Sequence, residues 1–123
     1  MDRIKALIVD DKRIIGDMFS FILGYSGHDV TVVRSAQDAA EKIRKDDFDV
    51  VFLDIIMPER DGVSLLEEIK VLDPKLPVII MSGYSAVEQK DRIKELGVNA
   101  YLDKPFEIDD VRRSVKLAIG KEI

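Results

Sequence analysis

Residues 50–54 read VVFLD, four apolar side chains that suit a buried strand running straight into a carboxylate, Asp54. Three other apolar runs also end in polar groups. IKALIV (4–9) is followed by Asp10 and Asp11, VIIM (78–81) by Ser82 and Gly83, and AYL (100–102) by Asp103, Lys104, Pro105 and Phe106. A buried carboxylate is costly unless something compensates it. If these ends share one pocket, three acids crowd it, and two such charges ~5 Å apart repel by roughly 3 kcal/mol at an effective dielectric of about 20. One lysine does not balance three acids, so the missing charge is most simply a divalent cation. With only oxygen ligands on offer, Mg²⁺ or Mn²⁺ fits better than zinc. Ser82 and Lys104 are then free to contact a phosphate, one as a neutral donor and one as a point charge. A carboxylate beside such an ion, with phosphate-binding groups opposite, is equipped to attack phosphorus and become an acyl phosphate.

Each part taken alone has a plainer explanation. An Asp pair after a strand is commonly a helix cap, a Ser before Gly-Tyr is commonly turn chemistry, and Lys-Pro is commonly an extended residue ahead of a proline. Asp61-Gly62 reads as the start of the helix over Leu65 and Leu66. The single histidine, His28, lies in an SGHD turn and reads as a surface residue far from the pocket. The force of the case is joint, because four strand ends each carry the residue type the site needs.

The elements that must position these groups follow from periodicity. The four runs above and VTVV (30–33) have strand length, and stretches with helical spacing separate them. Ala36, Ala39, Ala40 and Ile43 form one stripe, Leu65, Leu66, Ile69 and Leu72 another, and Ile108, Val111, Val115 and Ala118 a third. Such alternation predicts an α/β fold with a parallel sheet and helices on both faces. Ligands bind such sheets beyond the carboxyl ends of the strands. The second run ends in Val33 and Arg34, without an acid or hydroxyl, and fits an outer position; the order 2-1-3-4-5 makes the other four ends neighbours. The first helix, IIGDMFSFILGY (14–25), is apolar around more than half its wheel, which suits deep packing or a face that meets a partner. The fourth, AVEQKDRIKEL (86–96), has only Val87, Ile93 and Leu96 as strong anchors and belongs to the mobile end of the stability range.

Bulk properties narrow the function classes. With 123 residues, 46% apolar and 35% charged, the chain fits one globular domain over 1–123. A net charge of −5 with no Lys/Arg run argues against direct nucleic-acid binding. The absence of cysteine excludes disulfides, thiolate catalysis and Cys-based metal sites. The start lacks a signal-peptide layout and no run approaches the ~20 apolar residues of a membrane span. A cytoplasmic protein without membrane insertion is the expectation.

The constellation resembles the receiver domain of two-component response regulators, over essentially the whole chain. The residues that carry the resemblance are VDD at 9–11, LDIIMPERDG at 53–62, MSG at 81–83 and YLDKPF at 101–106. It implies a doubly wound (βα)5, flavodoxin-like fold in the order 2-1-3-4-5. Asp54 becomes the phosphoacceptor, Asp10 and Asp11 the acidic pair that holds Mg²⁺ (or Mn²⁺) with Asp54, and the carbonyl of Ile56 a further ligand. Ser82 takes the Ser/Thr switch position, and Lys104 that of the lysine that pairs with the phosphoryl group. Gly83 keeps the access route small, the Lys104–Pro105 peptide is cis, and Tyr101 is the aromatic switch that packs inward when Ser82 turns toward phosphate.

The implied partners are a histidine kinase or histidine phosphotransfer protein and a downstream target or effector domain, with a phosphorylation-dependent homodimer also open. The conformational readout is the face made by the fourth helix, fifth strand and fifth helix. Only GKEI follows Ile119, so no output domain is expected within 1–123. Two alternatives stand beside this reading: a non-phosphorylated receiver-like interaction module, and a Mg²⁺-dependent aspartyl-phosphate phosphatase. The phosphatase class needs an acid two residues after the nucleophile, where this chain has Ile56. Ile56 and Tyr84, two residues past Asp54 and Ser82, flank the approach of a hydrolytic water. Neither can orient it, so slow autodephosphorylation is expected.

Overall fold

The computed structural model describes residues 2–58, 60–83 and 89–123. Five parallel strands form one sheet: β1 (Lys5–Val9), β2 (Asp29–Val33), β3 (Val50–Asp54), β4 (Val78–Ser82) and β5 (Ala100–Asp103), in the order β2-β1-β3-β4-β5. The crossover helices are α1 (Arg13–Phe19), α2 (Ala36–Lys45), α3 (Gly62–Leu72) and α4 (Lys90–Leu96), and α5 (Ile108–Ile119) follows the last strand. The predicted topology is the observed one. Strands β1, β3 and β4 are buried on both faces, as their continuous apolar runs require, while β2 takes one edge.

The two-residue period of a strand divides the core into two layers. Leu7, Val9, Val51, Leu53, Val78 and Ile80 pack against Ala36, Ala39 and Ile43 of α2, Leu65, Leu66 and Ile69 of α3 and Ile93 of α4. Ala6, Ile8, Val50, Phe52, Ile79 and Met81 pack on the other side against Phe19 of α1 and Val111 and Val115 of α5. Phe19 contacts both Phe52 and Phe106, with ring centroids at 4.7 and 5.7 Å, which ties α1 to the sheet and to the β5–α5 loop. In the third stripe Ile108 departs from its expected place and stays partly exposed.

Helix starts follow local chemistry. The Ser35 hydroxyl accepts the Asp38 N–H, and Asp61, as expected, caps α3 by accepting the Val63 N–H at 3.0 Å. The first helix differs from the sequence expectation. It is α-helical only to Phe19 and continues as a π-helical turn over Ser20–Gly24. Its packing is also shallower than a deeply buried helix: Gly16, Phe19 and Leu23 are buried, whereas Ile14, Phe21 and Tyr25 are largely exposed. α4 is thinly anchored as expected, with Ile93 its one buried residue; Val87 lies outside the described residues.

His28 is not the surface residue that its turn context suggests. It is 7% exposed, and its Nδ1 accepts the Ile4 N–H at 3.1 Å, joining the start of β1 to the entry of β2. That bond requires a neutral ring with the proton on Nε2, which is buried without a hydrogen-bond partner among the described residues; the ring lines a small cavity with Ser26 and Arg112. Burial and the nearby Arg3 lower its pKa from 6.5. The unfolded chain therefore binds a proton more readily than the folded one. Stability is complete above pH ~6.5 and declines as pH falls through the unfolded value toward the lowered folded one. With one histidine in the chain, urea midpoints between pH 7.5 and 5.5 should fall in the wild type. His28→Gln, which keeps an acceptor, should flatten that slope; equal slopes in the two proteins would contradict the assignment.

Candidate functional site: an acidic cluster with two lysines

The same period that layers the core places the chemistry. Asp10 continues the Ala6–Ile8 face of β1, Asp54 the Val50–Phe52 face of β3, and Lys104 the Ala100–Leu102 face of β5. All three side chains thus leave the sheet on the α1–α5 side, at the carboxyl ends of β1, β3 and β5. Asp10, Asp11 and Asp54 each offer a carboxylate oxygen within 4.8 Å of the others. Asp10 and Asp54 are 0% and 1% exposed, so neither charge is relieved by solvent.

Partners for these oxygens come from the loops. Asp10 Oδ1 accepts the Lys12 N–H at 2.9 Å, and its Oδ2 accepts from Lys104 Nζ at 2.8 Å. Asp54 Oδ1 accepts the Ile56 N–H at 3.1 Å. Among the described residues nothing donates a hydrogen bond to the buried Asp54 Oδ2 or Asp11 Oδ1. Among the described residues the nearest cation to Asp54 Oδ2 is Lys104 Nζ at 3.4 Å. Burial, and then the Asp10 charge, raise the Asp54 pKa above 3.8; the Ile56 N–H and the two lysines pull the other way. Lys104 itself is seated by its N–H, which donates to the Ser82 carbonyl at 2.7 Å. The Lys104–Pro105 peptide is cis, as the resemblance implies.

The remaining expected positions are placed as follows. Ser82 ends β4 in register with Asp103, and Asp54 pairs with Met81. Among the described residues no hydrogen bond joins the Ser82 hydroxyl to the carboxylates; it falls on the other parity of its strand. A Cβ built at Gly83 meets no atom of the described residues within 4 Å. Tyr101 is 46% exposed and borders a groove with Pro105, Arg113 and Leu117. Ile56 sits half-exposed beside Asp54; Tyr84 lies outside the described residues.

One functional residue escaped sequence reasoning. Lys12 Nζ stands 3.8 Å from Asp11 Oδ1 and 3.9 Å from Asp54 Oδ2, so the cluster has two lysines, not one. Its position directly after the acidic pair was the available signal. Arg34, which ends the acid-free second run, also reaches the site's edge: its Nε and Nη2 donate to the Asp11 carbonyl at 3.0 and 2.9 Å.

The profile of the response regulator receiver domain matches residues 6–116. The chain belongs to that family. Receiver domains are signalling switches of two-component systems, not enzymes of the ordinary kind, and generally bind Mg²⁺ at an acidic pocket. The transcriptional regulatory protein ZraR of Escherichia coli is 36% identical over 119 residues, 97% of this chain and 27% of that protein. This receiver domain thus spans about a quarter of that relative's length. The sporulation initiation phosphotransferase F of Bacillus subtilis is 34% identical over 112 residues, 91% of this chain and 90% of its own. Among solved structures, a CheY-like receiver domain from Methanospirillum hungatei superposes with a TM-score of 0.87 at 30% identity, covering 94% of this chain and 92% of that one.

The orphaned oxygens of Asp11 and Asp54 test whether a metal fits. Both are buried, both lack a donor among the described residues, and both belong to an all-oxygen cluster. A hard divalent cation satisfies them. Among the described residues no helix is long and apolar enough to cross a membrane.

Proposed function

We propose that this receiver domain accepts a phosphoryl group on Asp54 from the phosphohistidine of a histidine kinase or phosphotransfer protein in the cytoplasm, and relays it by a change at the α4–β5–α5 face. The observation that carries this reading is Asp54 itself: a 1%-exposed carboxylate at a strand end, with Oδ1 held by the Ile56 N–H and Oδ2 left without a hydrogen bond between two lysines. Asp10, Asp11, Asp54 and the Ile56 carbonyl would hold Mg²⁺ or Mn²⁺, which when bound neutralises negative charge on the carboxylates and on an incoming phosphoryl group.

The chain's own residues do the rest. An Asp54 oxygen forms a bond to phosphorus as the bond from phosphorus to the donor imidazole breaks and its electron pair returns to nitrogen. Lys104 pairs with the phosphoryl oxygens, and Ser82 donates to them. The new group carries about −1.5 to −2 charge, and Tyr101, exposed here, packs inward as Ser82 turns. The single buried anchor of α4 supports its role as the element that shifts. The output passes to a downstream protein or to an effector domain of a longer regulator, with homodimerisation on phosphorylation as one route.

Incubation with Mg²⁺ and a small phosphodonor tests the reading. A stoichiometric adduct, absent from Asp54→Asn, is the expected result. Continuous turnover would indicate a phosphatase instead, and no adduct an interaction module. The adduct is also expected to last minutes or longer, because neither Ile56 nor Tyr84 carries an acid or amide that could orient water. Ile56→Asn and Tyr84→Glu should shorten it. A lifetime of seconds in the wild type, no shorter in these variants, would count against that assignment.

A further inference from the structure

Among the described residues the two lysines of the cluster are held differently. Lys104 is 18% exposed in its side chain and fixed by a 2.8 Å hydrogen bond to Asp10 Oδ2. Lys12 is 56% exposed, and its ammonium reaches Asp11 Oδ1 and Asp54 Oδ2 only at 3.8 and 3.9 Å, beyond hydrogen-bond range. Those are the two oxygens of the cluster that are buried without a hydrogen bond. The main chain of Lys12 is anchored, because its N–H donates to Asp10 Oδ1 at 2.9 Å, so the flexible stem swings from a fixed base.

We propose that Lys12 is a displaceable counter-cation: in the metal-free protein its ammonium balances the oxygens of Asp11 and Asp54, and a divalent ion that takes those oxygens expels it. This rests on the reading of Asp10, Asp11 and Asp54 as the ion site. Three carboxylates against two ammonium groups leave one net negative charge for the ion to enter; without Lys12 they leave two. Lys12 therefore weakens ion binding while it stabilises the empty site, and makes the receiver more dependent on ion concentration than the acidic triad alone would be. Lys104 does not share this role: it is held by its hydrogen bond to Asp10 Oδ2, and among the described residues only Lys12 forms an ion pair with Asp11 Oδ1.

The test is titration of the full chain with Mg²⁺ alone, followed by calorimetry or amide chemical shifts, in wild type, Lys12→Gln and Lys12→Met. The Gln variant removes the charge, and the Met variant keeps most of the apolar stem. Both should bind Mg²⁺ about three- to tenfold more tightly, the range expected for a half-exposed charge near 4 Å. The advantage should shrink at about 0.5 M salt, where exposed charges are screened. An affinity equal to or weaker than that of the wild type in both variants overturns the proposal alone. A wild type that takes up no Mg²⁺ overturns the ion-site reading, and this proposal with it.

Discussion

Asp54→Asn is expected to abolish phosphoryl acceptance and, in metal-free buffer, to make the protein more stable than the wild type. The loss of acceptance follows from the removed nucleophile, because a carboxamide oxygen does not form the acyl phosphate. The gain in stability follows from the environment. Asp54 is buried beside Asp10, and burial and that charge together raise its pKa, so its ionised form disfavours the folded state at neutral pH. Repulsion of roughly 3 kcal/mol for charges ~5 Å apart is partly offset by the lysines at 3.4 and 3.9 Å. A net gain of about 1 kcal/mol is expected, or ~4 °C in melting temperature for a domain of this size. The Asn carbonyl still accepts from the Ile56 N–H. Mg²⁺ should narrow the gap, since binding to the folded wild type stabilises it by mass action. A variant melting below the wild type without Mg²⁺ would contradict this account of the cluster.

Gly62→Ala is expected to cost about 3 kcal/mol, the largest loss expected of a Gly→Ala change in this chain. A Cβ at Gly62 would stand 2.4 Å from the Ile55 carbonyl oxygen, 2.5 Å from its Cα and 2.7 Å from its carbonyl carbon. All three are backbone atoms of the segment that follows Asp54, and none can turn aside. The Gly62 N–H also donates to that carbonyl at 3.1 Å, so the close approach is part of how α3 docks. Relief requires α3 or the Ile55–Met57 backbone to move, and the Ile56 N–H that holds Asp54 Oδ1 would move with it. Gly16→Ala is the control: its Cβ meets Val32 Cγ1 at 2.5 Å, a side-chain atom that can rotate. A loss of about 1 kcal/mol is expected there. Urea denaturation compares the two, and equal losses would show that the Ile55 backbone yields as easily as a side chain.

Much of this architecture was legible in the residues because burial and chemistry coincide at strand ends. Continuous apolar runs named β1, β3 and β4 as central, and the acid-free end of the second run placed β2 at the edge. What stayed hidden depended on side-chain reach or on long-range packing. Apart from following the acidic pair, Lys12 stands out by no pattern in the sequence, and only the fold brings its ammonium to within 4 Å of Asp11 and Asp54. His28 sits in a turn by sequence, yet the start of β1 covers it and uses its ring as an acceptor. The helical wheel of 14–25 showed abundant apolar residues but not the π-helical turn, nor that Phe21 and Tyr25 would stack with each other on the surface.

The central claim is that Asp54 is the phosphoacceptor, and borohydride trapping tests it most directly. The reagent reduces an acyl phosphate to the alcohol, so a protein treated with Mg²⁺ and phosphodonor and then reduced should carry homoserine at position 54 and nowhere else. The label should vanish when Mg²⁺ is withheld. Homoserine at Asp10 or Asp11, or no reduction product despite active donor and Mg²⁺, would contradict the account.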